Sequence, residues 1–142
     1  MQTMYHDATK RRSDCPLNVS LEIFGDRWTL LIVRDLMLEG RSRFGELLEG
    51  GEGIASNILT DRLSRLEAHG LAERRRDPAD ARRWVYRLTE RGIDLAPVLF
   101  EMILWAAQHE STAAASEEVA AMEKDRDGYL AAIRQAWVDA AV

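Results

Sequence analysis

Residues 54–92 read IASNILTDRLSRLEAHGLAERRRDPADARRWVYRLTERG, and a change of rhythm inside them decides the fold. With each residue turned by about 100°, Ile58, Leu59, Leu63 and Leu66 fall on one arc. Asn57, Thr60, Asp61 and Ser64 take the opposite arc, and Arg62 and Arg65 flank the apolar stripe. That spacing predicts an amphipathic helix over 54–69, which Gly70 is placed to end just past its last turn. The period then shortens. Leu71–Arg75 and Trp84–Leu88 favour strands, the second through its aromatic and β-branched residues. Asp77-Pro78-Ala79-Asp80 supplies the turn between them, and Thr89 followed by Glu90 opens a fresh helix.

Working outward, residues 1–14 are polar and aperiodic and read as a flexible arm. Pro16 suits a first helical turn, Leu17, Leu21 and Phe24 share one face of that helix, and Gly25 ends it. Asp26 is a natural N-cap for a second helix carrying Trp28, Leu31, Ile32, Leu36 and Leu38 up to Gly40. Ser42 can cap a brief third helix with Phe44, Leu47 and Leu48, before a flexible connection at Gly50, Gly51 and Gly53. On the far side of the hairpin the helix from Thr89 runs through Leu95, Val98, Leu99, Met102, Ile103 and Ala106, and Pro97 either kinks it or marks its true start. A last helix from Ser116 carries Val119, Met122, Leu130, Ile133 and Trp137, with an interruption expected near Gly128. Helices, a hairpin and more helices in this order make an α+β, mostly α chain. Residues 15–92 read as a winged helix-turn-helix domain and 93–142 as C-terminal helices.

Composition narrows the function. The chain has 142 residues, 46% hydrophobic and 30% charged, which suits one domain with added helices. No apolar run approaches the roughly 20 residues that span a bilayer, and the N-terminus lacks the apolar core of a signal peptide. A cytoplasmic protein away from membranes is therefore expected. Cys15 is the only cysteine, so an internal disulfide and a cysteine zinc cluster are excluded. His6, His69 and His109 are scattered without acidic neighbours at ligand spacing, so no metal is expected. No nucleophile, base and orienting acid form a set, and the glycines at 50–53 lack the lysine of a phosphate loop. Neither an enzyme nor a cofactor is expected, and Trp28, Trp84, Trp105 and Trp137 read as packing residues.

The net charge of −5 hides an asymmetry. Residues 1–40 hold five basic and six acidic side chains, residues 41–91 eleven and nine, and residues 92–142 three and nine. Positive charge thus concentrates on the helix and hairpin of the opening stretch. A phosphate backbone meets one face of a protein and not its mean charge, so the local excess is what counts.

Several spaced blocks resemble the HxlR-type branch of the MarR-like winged-helix transcriptional regulators. They are Cys15-Pro16-Leu17, the run Gly25-Asp26-Arg27-Trp28-Thr29-Leu30-Leu31-Ile32, Arg43-Phe44-Gly45-Glu46-Leu47, and Leu59-Thr60-Asp61-Arg62-Leu63 with Leu66-Glu67 and Gly70-Leu71. One block departs. HxlR-type wings carry a Pro-Arg pair before the last strand, whereas Asp77-Pro78-Ala79-Asp80-Ala81-Arg82-Arg83 is closer to the wing of MarR proteins proper. The resemblance implies a homodimer, paired through its first helix and its C-terminal helices. It would set two recognition helices in successive major grooves of a pseudo-palindromic operator on double-stranded DNA, most commonly to repress transcription. It also implies that Cys15, beside a helix N-terminus and near Arg11 and Arg12, is a candidate sensor of oxidants or electrophiles. A regulator that answers a small-molecule ligand at the dimer interface and never uses Cys15 is the alternative, and the sequence does not separate the two.

The residues themselves support a reading surface. A recognition helix needs an apolar back and short polar or arginine side chains in front. Ser56, Asn57, Thr60 and Ser64 meet the second condition: Asn can pair with adenine, and Ser and Thr reach bases or phosphates. Arg62 and Arg65 suit phosphate or guanine. Arg82 and Arg83 match the positions with which the family enters the minor groove, where a narrow groove draws arginine. Asp77 and Asp80 can also pair with them to hold the turn. Arg43 suits phosphate contact or support of the recognition helix. The alternative is a winged helix that meets another protein and binds no DNA, and such a wing would expose apolar residues instead.

Overall fold

The computed structural model describes residues 10–140, so most of the predicted N-terminal arm, residues 1–9, lies outside the described part. The chain divides into two compact units, 1–92 and 93–142. The first contains α1 (Pro16–Phe24), α2 (Thr29–Leu38), α3 (Phe44–Leu48), α4 (Ser56–Ala68), β1 (Ala72–Asp77) and β2 (Asp80–Leu88). The short α5 (Glu90–Ile93) lies at the boundary, and the second unit holds α6 (Ala96–His109), α7 (Ser116–Lys124) and α8 (Arg126–Asp139).

The apolar arc of the opening stretch is the centre of the first unit. Leu59, Leu63 and Leu66 of α4 are at most 2% exposed, and Ile32 and Val33 of α2, Leu47 of α3, and Tyr86 and Leu88 of β2 are buried as well. Each such leucine contributes about 1.5–3 kcal/mol by leaving water. At its end α4 closes as its sequence requires. Gly70 takes φ +69°, its amide donates to Glu67 O at 3.0 Å, and the Leu71 amide donates to Leu66 O at 2.8 Å, which satisfies the last carbonyls. The chain then crosses closely over α5. A Cβ on Gly92 would lie 2.1 Å from Leu71 O, so only glycine fits there.

The hairpin is longer than its propensities predict. Strand β1 reaches Asp77 and β2 starts at Asp80, with Pro78 and Ala79 as the loop. Register runs from Ala72↔Leu88 to Arg76↔Trp84 and then shifts to Asp77↔Asp80, so Ala81, Arg82 and Arg83 have no partner across the ladder. Side chains account for the extra length: Arg76 lies over Trp84, its cross-strand partner, and Asp77 is buried against Arg43. Arg43 itself bridges Val85, and the Tyr86 amide donates to Ser42 O at 2.8 Å, which attaches the residues before α3 to the outer side of β2. The start of α3 also differs from expectation. Arg43, not Ser42, takes the N-cap position, and Glu46 reaches back from the helix to accept the amides of Ser42 and Arg43 at 3.0 and 2.9 Å.

In the second unit Pro97 occupies the first turn of α6 and so marks a true start. The helix expected from Thr89 is two: Thr89 Oγ1 caps the first by accepting the Gly92 amide at 3.1 Å, and Pro97, which has no amide to continue α5, sits in the first turn of the second. Phe100 of α6 meets Tyr129 of α8 with ring centroids 6.3 Å apart. Arg126 donates to Glu101 at 2.7 Å and Arg134 to Asp94 at 3.1 Å. The break between α7 and α8 falls at Asp125 and not at Gly128. Asp125 Oδ1 caps α8 by accepting the Gly128 amide at 3.0 Å, and any Cβ at 128 would collide with that carboxylate at 2.1 Å. Trp105, expected to pack in a core or an interface, is not in the core of its unit: it is 61% exposed, and Met102 of the same helix is 55% exposed.

Candidate nucleic-acid interface

Ser56, Asn57, Thr60 and Ser64 all stand exposed on α4, opposite its buried leucines. Thr60 donates its hydroxyl proton to Ser56 O at 2.9 Å, which leaves the oxygen's lone pairs facing outward. Arg65 flanks this face half-buried, and it has no ion-pair partner among the described residues. These five side chains form one continuous polar strip on a helix whose back is fixed in the core.

Two of the predicted contact residues are engaged elsewhere. Arg62 donates from Nε to Asp26 Oδ2 at 2.9 Å and from Nη1 to Asp61 Oδ2 at 2.5 Å. Asp26 in turn accepts the amides of Trp28 and Thr29 at 2.9 and 3.1 Å and the Thr29 hydroxyl at 2.5 Å. One carboxylate therefore caps α2 and grips α4. Burial pushes the Asp26 carboxyl up, but the hydrogen bonds from Thr29, Arg62 and the two amides outweigh it and hold the pKa at about 2. Arg43 likewise donates from Nε to Asp77 Oδ2 at 2.7 Å. That bond, followed by the Ala79 amide, lowers the Asp77 pKa and keeps the buried group charged.

At the wing tip Arg82 and Arg83 are the exposed cations. Arg82 forks onto Asp80 through Nε and Nη2 at 3.0 and 3.1 Å, and Arg83 Nε lies 3.4 Å from the same carboxylate. Both arginines share one charge, so the tip stays positive while its arginines are held at a defined angle. The Arg82 side chain is 90% exposed, which leaves its other face open to a ligand. Asp77 does not pair with the tip as expected; it serves Arg43.

Sequence reasoning missed two features. Arg74 and Arg76 lie over the Trp84 ring, 4.3 and 3.8 Å from its centroid, so Trp84 is a platform for cations. Only the hairpin register, which sets Arg76 opposite Trp84, gives that away. The Asp26–Arg62 pair spans 36 positions and leaves no local signal.

Cys15 is exposed and occupies the N-cap position of α1. The Asn18 and then the Leu17 amide lower its thiol pKa, which favours thiolate. Arg11 faces Asp14 at 3.8 Å. Among the described residues no cluster of His, Cys, Asp and Glu is placed to hold a metal, and no helix is long and apolar enough to cross a membrane.

A family model described as HxlR-like helix-turn-helix matches residues 23–114. The uncharacterised HTH-type transcriptional regulator sll1512 of Synechocystis is 36% identical over 88 residues, 62% of this chain and 64% of sll1512. The chain thus spans just under two thirds of that relative. The HTH-type transcriptional regulator YodB of Bacillus subtilis is 37% identical over 95 residues, 66% of this chain and 84% of YodB. The crystal structure of PA1607 is similar with a TM-score of 0.66 at 34% identity, covering 76% of this chain and 74% of PA1607. Reduced YodB gives 0.57 at 36%, covering 68% and 95%, and YodB has also been solved quinone-bound and diamide-treated.

Proposed function

Because the chain belongs to the HxlR-like helix-turn-helix family of transcriptional regulators, we propose that it binds a pseudo-palindromic operator as a homodimer and represses transcription from it. The observation that carries this reading is the exposed strip Ser56, Asn57, Thr60, Ser64 and Arg65 on a helix whose other face is the core. Side chains of that kind on a major-groove helix reach base edges and phosphates. Arg82 and Arg83 are assigned to the minor groove, where their shared Asp80 fixes the approach of the fork. Exposed Leu17 and Leu21 on α1, and Met102 and Trp105 on α6, supply apolar surface for pairing two copies. Selection of bound genomic fragments followed by footprinting tests the assignment. A two-fold footprint with half-sites one helical turn apart is expected, and failure to enrich any duplex sequence would refute it.

Control is assigned to Cys15. Its thiol is exposed and its pKa lowered by the Asn18 and Leu17 amides, and YodB, a relative, has been solved with a bound quinone. Addition of the thiolate to a quinone ring carbon forms a C–S bond as the C=C electron pair moves onto a carbonyl oxygen; that oxygen takes a proton from water, and transfer of the ring C–H proton to the second oxygen leaves a thioether-substituted hydroquinone. Operator binding by the native chain should fall after quinone treatment, whereas Cys15→Ser should bind equally with and without it. An equal loss in Cys15→Ser would remove the thiol from the switch.

A further inference from the structure

Arg62 lies beside the reading strip, yet its side chain is only 20% exposed and faces back toward Asp26 and Asp61. Its partner is a junction. Asp26 follows Gly25, where α1 ends, and holds the first amides of α2 while gripping α4 from the side. The leucines of α4 fix its depth in the core, but apolar burial is non-directional and does not by itself single out one roll angle. A charge-assisted bond from the flank, aimed at a carboxylate already immobilised by three hydrogen bonds from Trp28 and Thr29, supplies the missing constraint.

We propose that Arg62 is a positioning residue for DNA reading: paired with Asp26, it sets the roll of α4 on the capped start of α2 and so aims Ser56, Asn57, Thr60 and Ser64, without itself touching DNA. This rests on the operator-binding reading above. The two roles predict opposite signs. If Arg62 held a phosphate, removing Asp26 would release it and tighten binding, and Arg62→Ala would lower the log-log salt slope by about 0.9. If it positions, losing either partner weakens binding with the slope intact.

Asp26→Ser keeps a good N-cap but is too short to reach Arg62, so it separates the grip from the cap. Arg62→Lys keeps the charge without the planar fork. Operator affinity and salt slope should be measured for Asp26→Ser, Arg62→Ala, Arg62→Lys and the Asp26→Ser/Arg62→Ala double variant, with Arg65→Ala as the phosphate-contact control. We expect each single change at 26 or 62 to cost about tenfold, the double change no more than about tenfold, and only Arg65→Ala to flatten the slope. Tighter binding by Asp26→Ser, additive losses, or a flattened slope in Arg62→Ala would overturn the proposal. Amide exchange across α4 is the readout that does not need DNA. Faster exchange in both single variants, no faster in the double, supports the grip, and unchanged exchange refutes it. Failure of the native chain to bind any duplex would instead sink the operator reading, and the exchange data would then decide the pair alone.

Discussion

At the scale of single residues, α4 separates support from the proposed reading face. Leu63 is 2% exposed, so Leu63→Ala should lower unfolding free energy by about 2–5 kcal/mol in denaturant titration. Asn57, exposed on the same helix, should alter sequence preference with little change in stability. Asp26 gives a pH signature. Its folded pKa of about 2 lies below the ordinary 3.8, so its stabilisation is whole above the ordinary value and lost as pH falls through the folded one. The stability advantage of the native chain over Asp26→Asn should therefore be flat above about pH 5 and shrink toward pH 2, as followed by thermal melts across that range. The apolar stripe, the exposed polar strip and Gly70 were all legible in the sequence because they depend on local period and backbone preference. The Arg62 and Arg43 pairs were not, since nothing local tells an arginine beside a DNA face which aspartate the fold brings to it.

Among elements, the wing shows how far propensity carries. Its two strands and the Pro turn could be read from residue types, but its length and register depend on cross-strand contacts, Arg76 on Trp84 and Asp77 on Arg43. Likewise the final helix read as one piece with a weak point at Gly128, because glycine is a stronger local breaker than aspartate; the capping geometry of Asp125 reverses that order. Since Arg82 and Arg83 reach outward from the tip, Arg82→Ala/Arg83→Ala should reduce operator affinity and lower the salt slope by up to about two units, one for each cation that neutralises a groove-wall phosphate. An unchanged slope in a salt titration would take the tip off the DNA. The ladder from Ala72↔Leu88 to Arg76↔Trp84 lies outside the substituted bulge, so circular dichroism should show the fold retained.

For the whole molecule, α1 presents apolar surface to solvent: Leu17 and Leu21 are 68% and 56% exposed, and no residue of the helix is buried. If this surface pairs two copies, Leu17→Glu/Leu21→Glu should sediment as a monomer. It should bind a single half-site as the native chain does while losing the tighter grip on the full operator. A native chain that sediments as a monomer at micromolar concentration would exclude the paired mode. On α4, the residues that seat the helix, Leu59, Leu63, Leu66 and Arg62, share no position with those assigned to reading, Ser56, Asn57, Thr60 and Ser64. Duplicated genes can therefore diverge in the address they recognise without passing through an unfolded intermediate. On the operator-binding reading proposed above, a handful of exposed substitutions on one helix would insulate two paralogues from each other's promoters.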